Sequence, residues 1–353
     1  MEVNFQTLLM QYHGQGQRYA ESIKMRNKSR TGYILGNRKV AIIGAGYVGS
    51  SIAYALALKD VAREIIMIDI NLEKTDGEAK DIRHGLPAMG TADLYAGDYS
   101  DCVNCDLIII TAGRGRRPGE SRLDLTNENT RIMRSVIDSI KKYYTRGVIL
   151  VISNPVDILT FKAAKWMELP NGMVFGSGNM LDSSRFVRTV ADYVGLSTGV
   201  VNGYIVGEHG DSQVPVWSHV TIGGIPIAEY CSDVCISWND EIRNDLAEKT
   251  KKMGSEIIME KGRTHYGIAT CVCQLADAII NQRPTIASVS SVLMGEHGCR
   301  DIALSVPSVV GPSGVQQRIR EKWAPEEYRG FFDAVENVRE IIAMVNNTGA
   351  WED

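Results

Sequence analysis

Long apolar runs and a surplus of positive charge are both absent from this sequence of 353 residues. Its apolar stretches, such as Leu107–Ile110 and Val148–Ile152, fall far short of the roughly 20 apolar residues that a membrane-spanning helix needs. Lys and Arg together number 38 against 42 Asp and Glu, which leaves a formal net charge of −4. Such a chain has no basic field that could hold the phosphate backbone of a nucleic acid. The composition therefore excludes a membrane protein and argues against a nucleic-acid partner.

Cysteine is also scarce, with seven residues in all. The number is odd and no secretory segment precedes the cysteines, so we expect free thiols in a reducing cytoplasm rather than disulfides. Cys102 and Cys105 form a single Cys-x-x-Cys pair, without the second pair or the two histidines that a zinc site would need. We expect these two thiols to be buried, and we predict no metal site.

The sequence from Lys39 onward alternates between short apolar runs and helical stretches, unlike the polar residues 1–37, which we interpret as an N-terminal arm. The apolar runs hold Ile and Val at consecutive positions, which is typical of parallel strands buried on both faces. The predicted strands are Val40–Ile43, Glu64–Asp69, Leu107–Thr111 and Val148–Ser153, and the predicted helices are Val48–Leu58, Leu72–His84 and Leu123–Tyr144. This order predicts an α/β protein with a Rossmann-type doubly wound parallel sheet in residues 38–177.

The alternation ends after Gly178. Long helical patterns follow at Asp240–Lys261, Tyr266–Asn281 and Glu326–Val345, with a short strand region around Ile302–Val309. Residues 178–350 are therefore predicted to form a second, α+β domain that carries the substrate site.

A glycine-rich loop follows the first predicted strand. Gly44, Gly46 and Gly49 form a G-x-G-x-x-G motif between that strand and a helix, where glycines allow a tight turn and a close approach to a pyrophosphate. The free N–H groups of the helix N-terminus then favour the phosphates. Asp69 ends the next strand, 20 residues after Gly49, where a carboxylate can bind ribose hydroxyls and repel a 2′-phosphate. The loop predicts a site for NAD rather than NADP.

Three further motifs bring charged side chains to loops. They are Thr111-Ala-Gly-Arg-Gly-Arg-Arg-Pro-Gly-Glu-Ser-Arg122, Leu181-Asp-Ser-Ser-Arg185 and Gly207-Glu-His-Gly-Asp-Ser212. Each alone has an ordinary structural explanation, such as a solvated arginine or a helical ion pair. Together with an NAD site, they predict proton and hydride transfer to a small acid.

With these motifs, the chain from Lys39 to its end resembles the lactate/malate dehydrogenase family. The motifs that carry the resemblance are IIGAGYVG, TAGRGRRPGESRLDL, VISNPVDILT, GSGNMLDSSRF and GEHGDSQVPVWS, in this order. The resemblance implies an NAD-dependent 2-hydroxy acid dehydrogenase that assembles as a homotetramer or a dimer.

The resemblance also assigns catalytic roles. His209 would exchange a proton with the substrate oxygen, and Asp182 would hold the other ring nitrogen of His209. Arg185 would clamp the substrate carboxylate through its planar fork. Arg122 would polarise the ketone, and Asn154 would hydrogen-bond the substrate oxygen.

The remaining matched positions line the cofactor and the substrate. Thr264 is expected at the substrate. The expected cofactor contacts, besides the loop glycines and Asp69, are Val48, Lys74, Tyr99, Thr111, Ala112, Gly113, Ile152, Ser153, Asn154, Ser177 and Ile268.

The choice between lactate and malate depends on the position that faces the substrate side chain, which is Arg116. An arginine here is typical of malate enzymes, because it can bind the second carboxylate of oxaloacetate. Glu120, however, could hold that arginine away from the ligand, and Thr264 is similar to the lactate branch. We interpret the chain as an L-lactate dehydrogenase, with malate dehydrogenase as the alternative.

The resemblance finally bears on regulation. Relatives activated by fructose 1,6-bisphosphate carry Arg and His at the positions that match Val187 and Asn202. Neither of these side chains can bind a phosphate by charge, so we expect no activation by that sugar phosphate.

Overall fold

The computed structural model describes residues 38–88, 90–115 and 121–346, apart from the side chain of Arg122. Within these ranges we number strands and helices in chain order. The strands are β1 (Lys39–Ile43), β2 (Glu64–Ile68), β3 (Asp93–Ala96), β4 (Leu107–Ile110), β5 (Val148–Val151), β6 (Val174–Gly176), β7 (Val201–Asn202), β8 (Ile205–Val206), β9 (Val214–Pro215), β10 (Thr221–Ile222), β11 (Ile225–Pro226), β12 (Thr285–Met294), β13 (Arg300–Gly311) and β14 (Gly314–Arg318).

The helices alternate with the first strands and become longer in the second half. They are α1 (Tyr47–Leu58), α2 (Leu72–Gly85), α3 (Arg122–Lys141), α4 (Val156–Met167), α5 (Met180–Val194), α6 (Ile227–Asp233), α7 (Asp240–Lys261), α8 (Tyr266–Ile280) and α9 (Pro325–Asn346). Among the residues that the structure describes, no helix is both long and apolar enough to cross a lipid bilayer.

One nine-stranded sheet forms the centre of the fold, in the order β14-β13-β12-β6-β5-β4-β1-β2-β3. The strands from β6 to β3 are parallel, and β12, β13 and β14 add antiparallel pairs at one side. The predicted doubly wound parallel sheet is confirmed. The division into domains at residue 177 stays a prediction.

Both faces of the parallel strands are buried, as their consecutive apolar residues predict. In β1, Val40 and Ile42 join a core cluster with α1 and α8, while Ala41 and Ile43 join a second cluster with α3 and α4. All four residues of β4 are buried. Each Å² of apolar surface that these strands bury contributes about 25 cal/mol of stabilisation, and they bury such surface on both faces.

The strand order reverses between β1 and β4, because β1 pairs with β2 on one side and with β4 on the other. The connections that follow β1 and β4 therefore leave toward opposite faces and open a crevice at the carboxyl ends of the strands, where ligands bind in such sheets. The fold thus places the predicted cofactor loop at this crevice.

The sequence patterns do not predict several elements of the fold. They are helices α4 and α5, the edge strand β3, the short strand β6, and the strands β12 and β14. In β12, Ser288, Ser290 and Ser291 are all buried, so the strand does not show the Ile and Val runs of the other central strands.

Candidate active site

The glycine loop closes against the end of β4. Gly44 has a φ of +107°, a backbone conformation that favours glycine, and its carbonyl accepts a hydrogen bond from Thr111 Oγ1 at 2.9 Å. A Cβ on Gly49 would lie 1.8 Å from the same carbonyl oxygen. The first and third glycines of the motif therefore pack strand and helix against each other, as the motif predicts.

The middle glycine has open space instead. Gly46 precedes the first residue of α1 and has no side-chain cap, so backbone N–H groups of the first turn face outward. A Cβ on Gly46 would meet no atom within 4 Å. This open cradle at a helix N-terminus fits the pyrophosphate of a dinucleotide.

Asp69 lies directly after β2, beside the same turn. Its Oδ2 accepts the Ala45 N–H at 2.7 Å and its Oδ1 accepts the Asn71 N–H at 3.0 Å. These bonds fix the carboxylate at the edge of the crevice, where its remaining lone pairs can accept ribose hydroxyls. The carboxylate also contributes, after burial and the charge of Cys102, to raising the pKa of Tyr99, which places that ring close by.

The loops after β4 and β5 are joined by hydrogen bonds. Ser153 Oγ donates to the Ala112 carbonyl at 2.6 Å. Asn129 on α3, which the sequence analysis missed, donates to the carbonyls of Arg114 at 3.1 Å and Asn154 at 2.7 Å. The buried amide of Asn129 thus holds Ala112–Arg114 and Asn154 side by side at the crevice.

The acid–base centre is built around one buried carboxylate. Asp182, in the first turn of α5, accepts a bond from Arg185 Nη1 at 3.0 Å through Oδ1, and its Oδ2 lies 2.6 Å from His209 Nδ1. The Asp182 side chain is 5% exposed and that of His209 is 26% exposed. The structure therefore brings Asp182, Arg185 and His209 together, as predicted from motifs that are far apart in sequence.

The charges of this cluster oppose the effect of burial. Burial alone would lower the pKa of His209, but the carboxylates of Asp182 and Asp157 outweigh it, so the pKa lies above the usual histidine value. Burial likewise opposes the ionisation of Asp182, yet His209 and Arg185 together hold its pKa below the usual value. A protonated imidazole beside an ionised carboxylate is the arrangement that a proton donor near neutral pH needs.

Asp157 is a second residue that the sequence analysis missed. It accepts the backbone N–H of His209 at 2.7 Å and is 3% exposed. Its only sequence signal is a carboxylate in the otherwise apolar start of α4.

The other predicted residues lie around the crevice with less decisive contacts. Ser177 and Ile152 are buried at the strand ends, where the Ser177 N–H bonds the Val151 carbonyl at 3.0 Å. Val48 and Ile268 pack at the margin of the first core cluster.

Thr264 precedes His265, the N-terminal cap residue of α8, whose ring centroid lies 5.8 Å from that of Tyr47. Lys74 Nζ is 5.6 Å from the centre of the same Tyr47 ring. Arg263, which the sequence analysis also missed, stacks its guanidinium 3.7 Å from that ring and adds positive charge beside the glycine loop.

Two predicted arginines are not placed. Arg116 lies outside the described residues, and so does the side chain of Arg122, whose backbone begins α3. Their expected roles, like those of all the site residues, stay predictions.

The Cys-x-x-Cys pair is buried. Burial raises the pKa of Cys102 and that of Cys105 to about 12, which removes the thiolate that reactivity or metal binding requires.

These features define a class of protein. A dinucleotide crevice at the switch point of a doubly wound sheet, next to a histidine–carboxylate pair and a half-buried arginine, is typical of a nicotinamide-dependent dehydrogenase. Two family models agree with that class: "lactate/malate dehydrogenase, NAD binding domain" matches residues 38–176, and "lactate/malate dehydrogenase, alpha/beta C-terminal domain" matches residues 179–348. The chain belongs to the lactate/malate dehydrogenase family, and NAD is its cofactor.

Three proteins that are similar to this chain are all L-lactate dehydrogenases. The L-lactate dehydrogenase of Acetivibrio thermocellus is 40% identical over 310 residues, which cover 88% of this chain and 98% of that protein. That of Priestia megaterium is 41% identical over 290 residues, or 82% of this chain and 91% of that protein. The crystal structure of the minor L-lactate dehydrogenase of Enterococcus mundtii, with ligands bound, superposes with a TM-score of 0.85 at 38% identity, covering 88% of this chain and 99% of that chain.

The glycine loop generates a prediction that separates folding from cofactor binding. Gly49→Ala should lower the free energy of unfolding by about 1–3 kcal/mol or more, because its Cβ overlaps the Gly44 carbonyl. Gly46→Ala should fold normally but raise the Kd for NADH at least about tenfold, because its methyl group fills the cradle. Thermal unfolding without cofactor and NADH fluorescence titration measure the two effects.

The matched control is Gly77→Ala in α2, where an added Cβ also meets nothing within 4 Å. This variant should bind NADH normally and unfold at the same or a higher temperature. Normal NADH binding by the Gly46→Ala variant would contradict the proposed placement of the pyrophosphate.

Proposed function

We propose that this chain is an NAD-dependent L-lactate dehydrogenase, which interconverts pyruvate and L-lactate. The observation that carries the proposal is the buried carboxylate of Asp182, which bonds both His209 Nδ1 and Arg185. The full-length similarity to L-lactate dehydrogenases supports lactate over malate.

The site residues divide the chemistry among them. Asp182 fixes Nδ1 of His209, which leaves Nε2 as the nitrogen that gives a proton to the ketone oxygen and takes it back in the reverse direction. Arg185, whose side chain is 15% exposed, binds the substrate carboxylate with its free guanidinium edge. NADH, when bound, supplies the hydride for the carbonyl carbon.

Two surrounding elements restrict this site. Gly254 of α7 lies against Arg185, because a Cβ there would sit 3.2 Å from Arg185 Nη2. Asn129 fixes the Asn154 backbone at the crevice, so the Asn154 side chain can reach the substrate oxygen. A small 2-keto acid therefore fits between the histidine, the arginine and the strand ends.

We further propose that the enzyme works in the cytoplasm and assembles as a homotetramer or a dimer. All seven cysteines are free thiols, as a reducing compartment requires. Exposed apolar side chains on α1 and α7, among them Tyr54, Leu58, Ile258 and Met259, support an assembled form.

Steady-state oxidation of NADH with pyruvate and with oxaloacetate tests the substrate. We expect kcat/KM to favour pyruvate at least about tenfold, because discrimination by pocket contacts is worth a few kcal/mol. Arg116→Gln should lower any remaining activity with oxaloacetate and spare pyruvate. A preference for oxaloacetate would instead support the malate alternative and a direct contact between Arg116 and the second carboxylate.

The role of His209 has its own test. His209→Ala should lower kcat for pyruvate reduction by about 10²–10⁴-fold, the usual contribution of a general acid, and should leave the Kd for NADH nearly unchanged. His84→Ala, on the exposed side of α2, is the matched control and should keep normal turnover. Loss of NADH binding in the His209→Ala variant would contradict a purely chemical role.

A cavity between α5 and the strands after it bears on regulation. Its volume is about 900 Å³, and it contains both Val187 and Asn202. The described residues that line it include no Lys, Arg or His. A sugar bisphosphate would therefore meet no positive charge there from the part of the chain that the structure describes.

We therefore expect fructose 1,6-bisphosphate to leave the enzyme unactivated. The pyruvate concentration that gives half-maximal rate, measured with and without millimolar sugar phosphate, should stay the same. A severalfold fall in that concentration would show that cations from elsewhere reach the cavity.

A further inference from the structure

A second buried carboxylate contacts His209 at its backbone N–H, whereas Asp182 contacts its ring. Asp157 is the second residue of α4, is 3% exposed and accepts the His209 backbone N–H through Oδ2 at 2.7 Å. The two residues are 52 positions apart in sequence. Because the mechanism described above uses only the ring of His209, Asp157 has no part in it.

The hydrogen bond to the His209 backbone does not by itself explain why residue 157 is a carboxylate. Burial is the largest influence on Asp157 and raises its pKa to about 6, although the Ser290 hydroxyl and the His209 N–H both favour the charged form. Its Oδ1 is buried without a hydrogen bond of ordinary geometry to any described residue. A neutral asparagine could accept the same N–H bond without the cost of a buried charge. The negative charge therefore needs a separate reason.

The charges around His209 supply one. On α5, Asp182 contacts His209 Nδ1 through one carboxylate oxygen and Arg185 through the other. On its own loop, Glu208 bonds Ser212. From α4, Asp157 favours the imidazolium, whereas burial and Arg185 disfavour it. Asp157 thus adds a second negative charge next to His209, at its backbone rather than at its ring.

We propose that Asp157 is a positioning residue for proton transfer, which fixes the backbone of His209 and keeps its imidazole protonated at neutral pH through its charge. The proposal rests on the proposed function, in which His209 is the proton donor. The proposal adds to the histidine–carboxylate pair a second carboxylate, which bonds the His209 backbone rather than its ring.

The charge has opposite effects on the two directions of the reaction. Pyruvate reduction needs the imidazolium, so its rate falls as pH rises through the His209 pKa. Lactate oxidation needs the neutral imidazole, so its rate rises over the same range. Removal of the Asp157 charge should move both transitions to lower pH.

Asp157→Asn tests this, because asparagine keeps the acceptor for the His209 N–H and removes only the charge. We expect pyruvate reduction at pH 8 to fall about three- to tenfold while the rate at pH 5.5 stays near that of the parent enzyme. Lactate oxidation at pH 6 should rise by a similar factor. A damaged fold would instead slow both directions at every pH.

The matched control is Glu327→Gln. Glu327 is a buried carboxylate that also accepts backbone N–H groups, from Ser218 and Ala324 at 2.8 Å each, but it lies outside the site. Glu327→Gln should leave the pH profiles of pyruvate reduction and of lactate oxidation unchanged. Unchanged profiles in the Asp157→Asn variant, or equal losses in both directions, would overturn the proposal.

An NMR titration makes the test independent of turnover. The Cε1 signal of His209 in histidine-labelled protein, assigned by its loss in the His209→Gln variant, should titrate at lower pH in Asp157→Asn than in the parent enzyme. If the parent enzyme fails to reduce pyruvate, the proposed function fails, yet this titration still decides the role of Asp157.

If Asp157→Asn does not fold, the His209→Gln variant supplies the remaining measurement. The amide proton of residue 209 in the His209→Gln variant reports Asp157 without an imidazole nearby. It should shift with pH as Asp157 takes up a proton. A flat titration between pH 4.5 and 8 would overturn the proposal.

Discussion

The active site depends on one constraint, the sharing of the Asp182 carboxylate between an imidazole and a guanidinium. The carboxylate is buried in the first turn of α5, where the helix dipole favours negative charge, and Arg185 follows one turn later. His209 comes from a different segment, which is fixed by paired backbone bonds between Gly207 and Ser305 and by the Asn179 amide. Because a buried carboxylate needs partners, Asp182 both orients the His209 ring and fixes Arg185 beside it.

The sheet brings this cluster and the cofactor crevice to the same place. Strand β6 extends the parallel order beyond β5 and is followed by Ser177 and then by α5. Asp182, in the first turn of α5, therefore lies near the carboxyl end of a strand. The glycine loop, Asp69 and the Thr111–Arg114 segment start from the ends of β1, β2 and β4. Carboxyl ends of neighbouring parallel strands share one edge, and this explains why residues distant in sequence form one site.

Some of these features can be predicted from the sequence and others cannot, and the difference has physical causes. Strands β1, β2, β4 and β5 are buried on both faces and therefore consist of Ile and Val runs that periodicity detects. Helix α4 is buried along most of its surface, so it shows no polar face, and β12 contains buried serines that disguise a strand. Motifs identified Asp182, Arg185 and His209 because each carries its own local pattern. Asn129 and Asp157 act through bonds to backbone 25 and 52 residues away, and no local pattern encodes such partners.

The residue proposed to select the substrate and those proposed to transfer the proton belong to separate parts of the chain. His209, its two carboxylate partners and Arg185 come from α4, α5 and the Gly207–Ser212 loop, and both carboxylates are buried. Arg116, the residue expected to distinguish pyruvate from oxaloacetate, belongs to the segment between β4 and α3 and lies outside the described residues. If Arg116 selects the substrate as proposed, a change at that position would alter which 2-keto acid side chain is accepted, whereas the carboxylates beside His209 come from α4 and α5. A malate-type arginine is therefore compatible with the proposed lactate-type function.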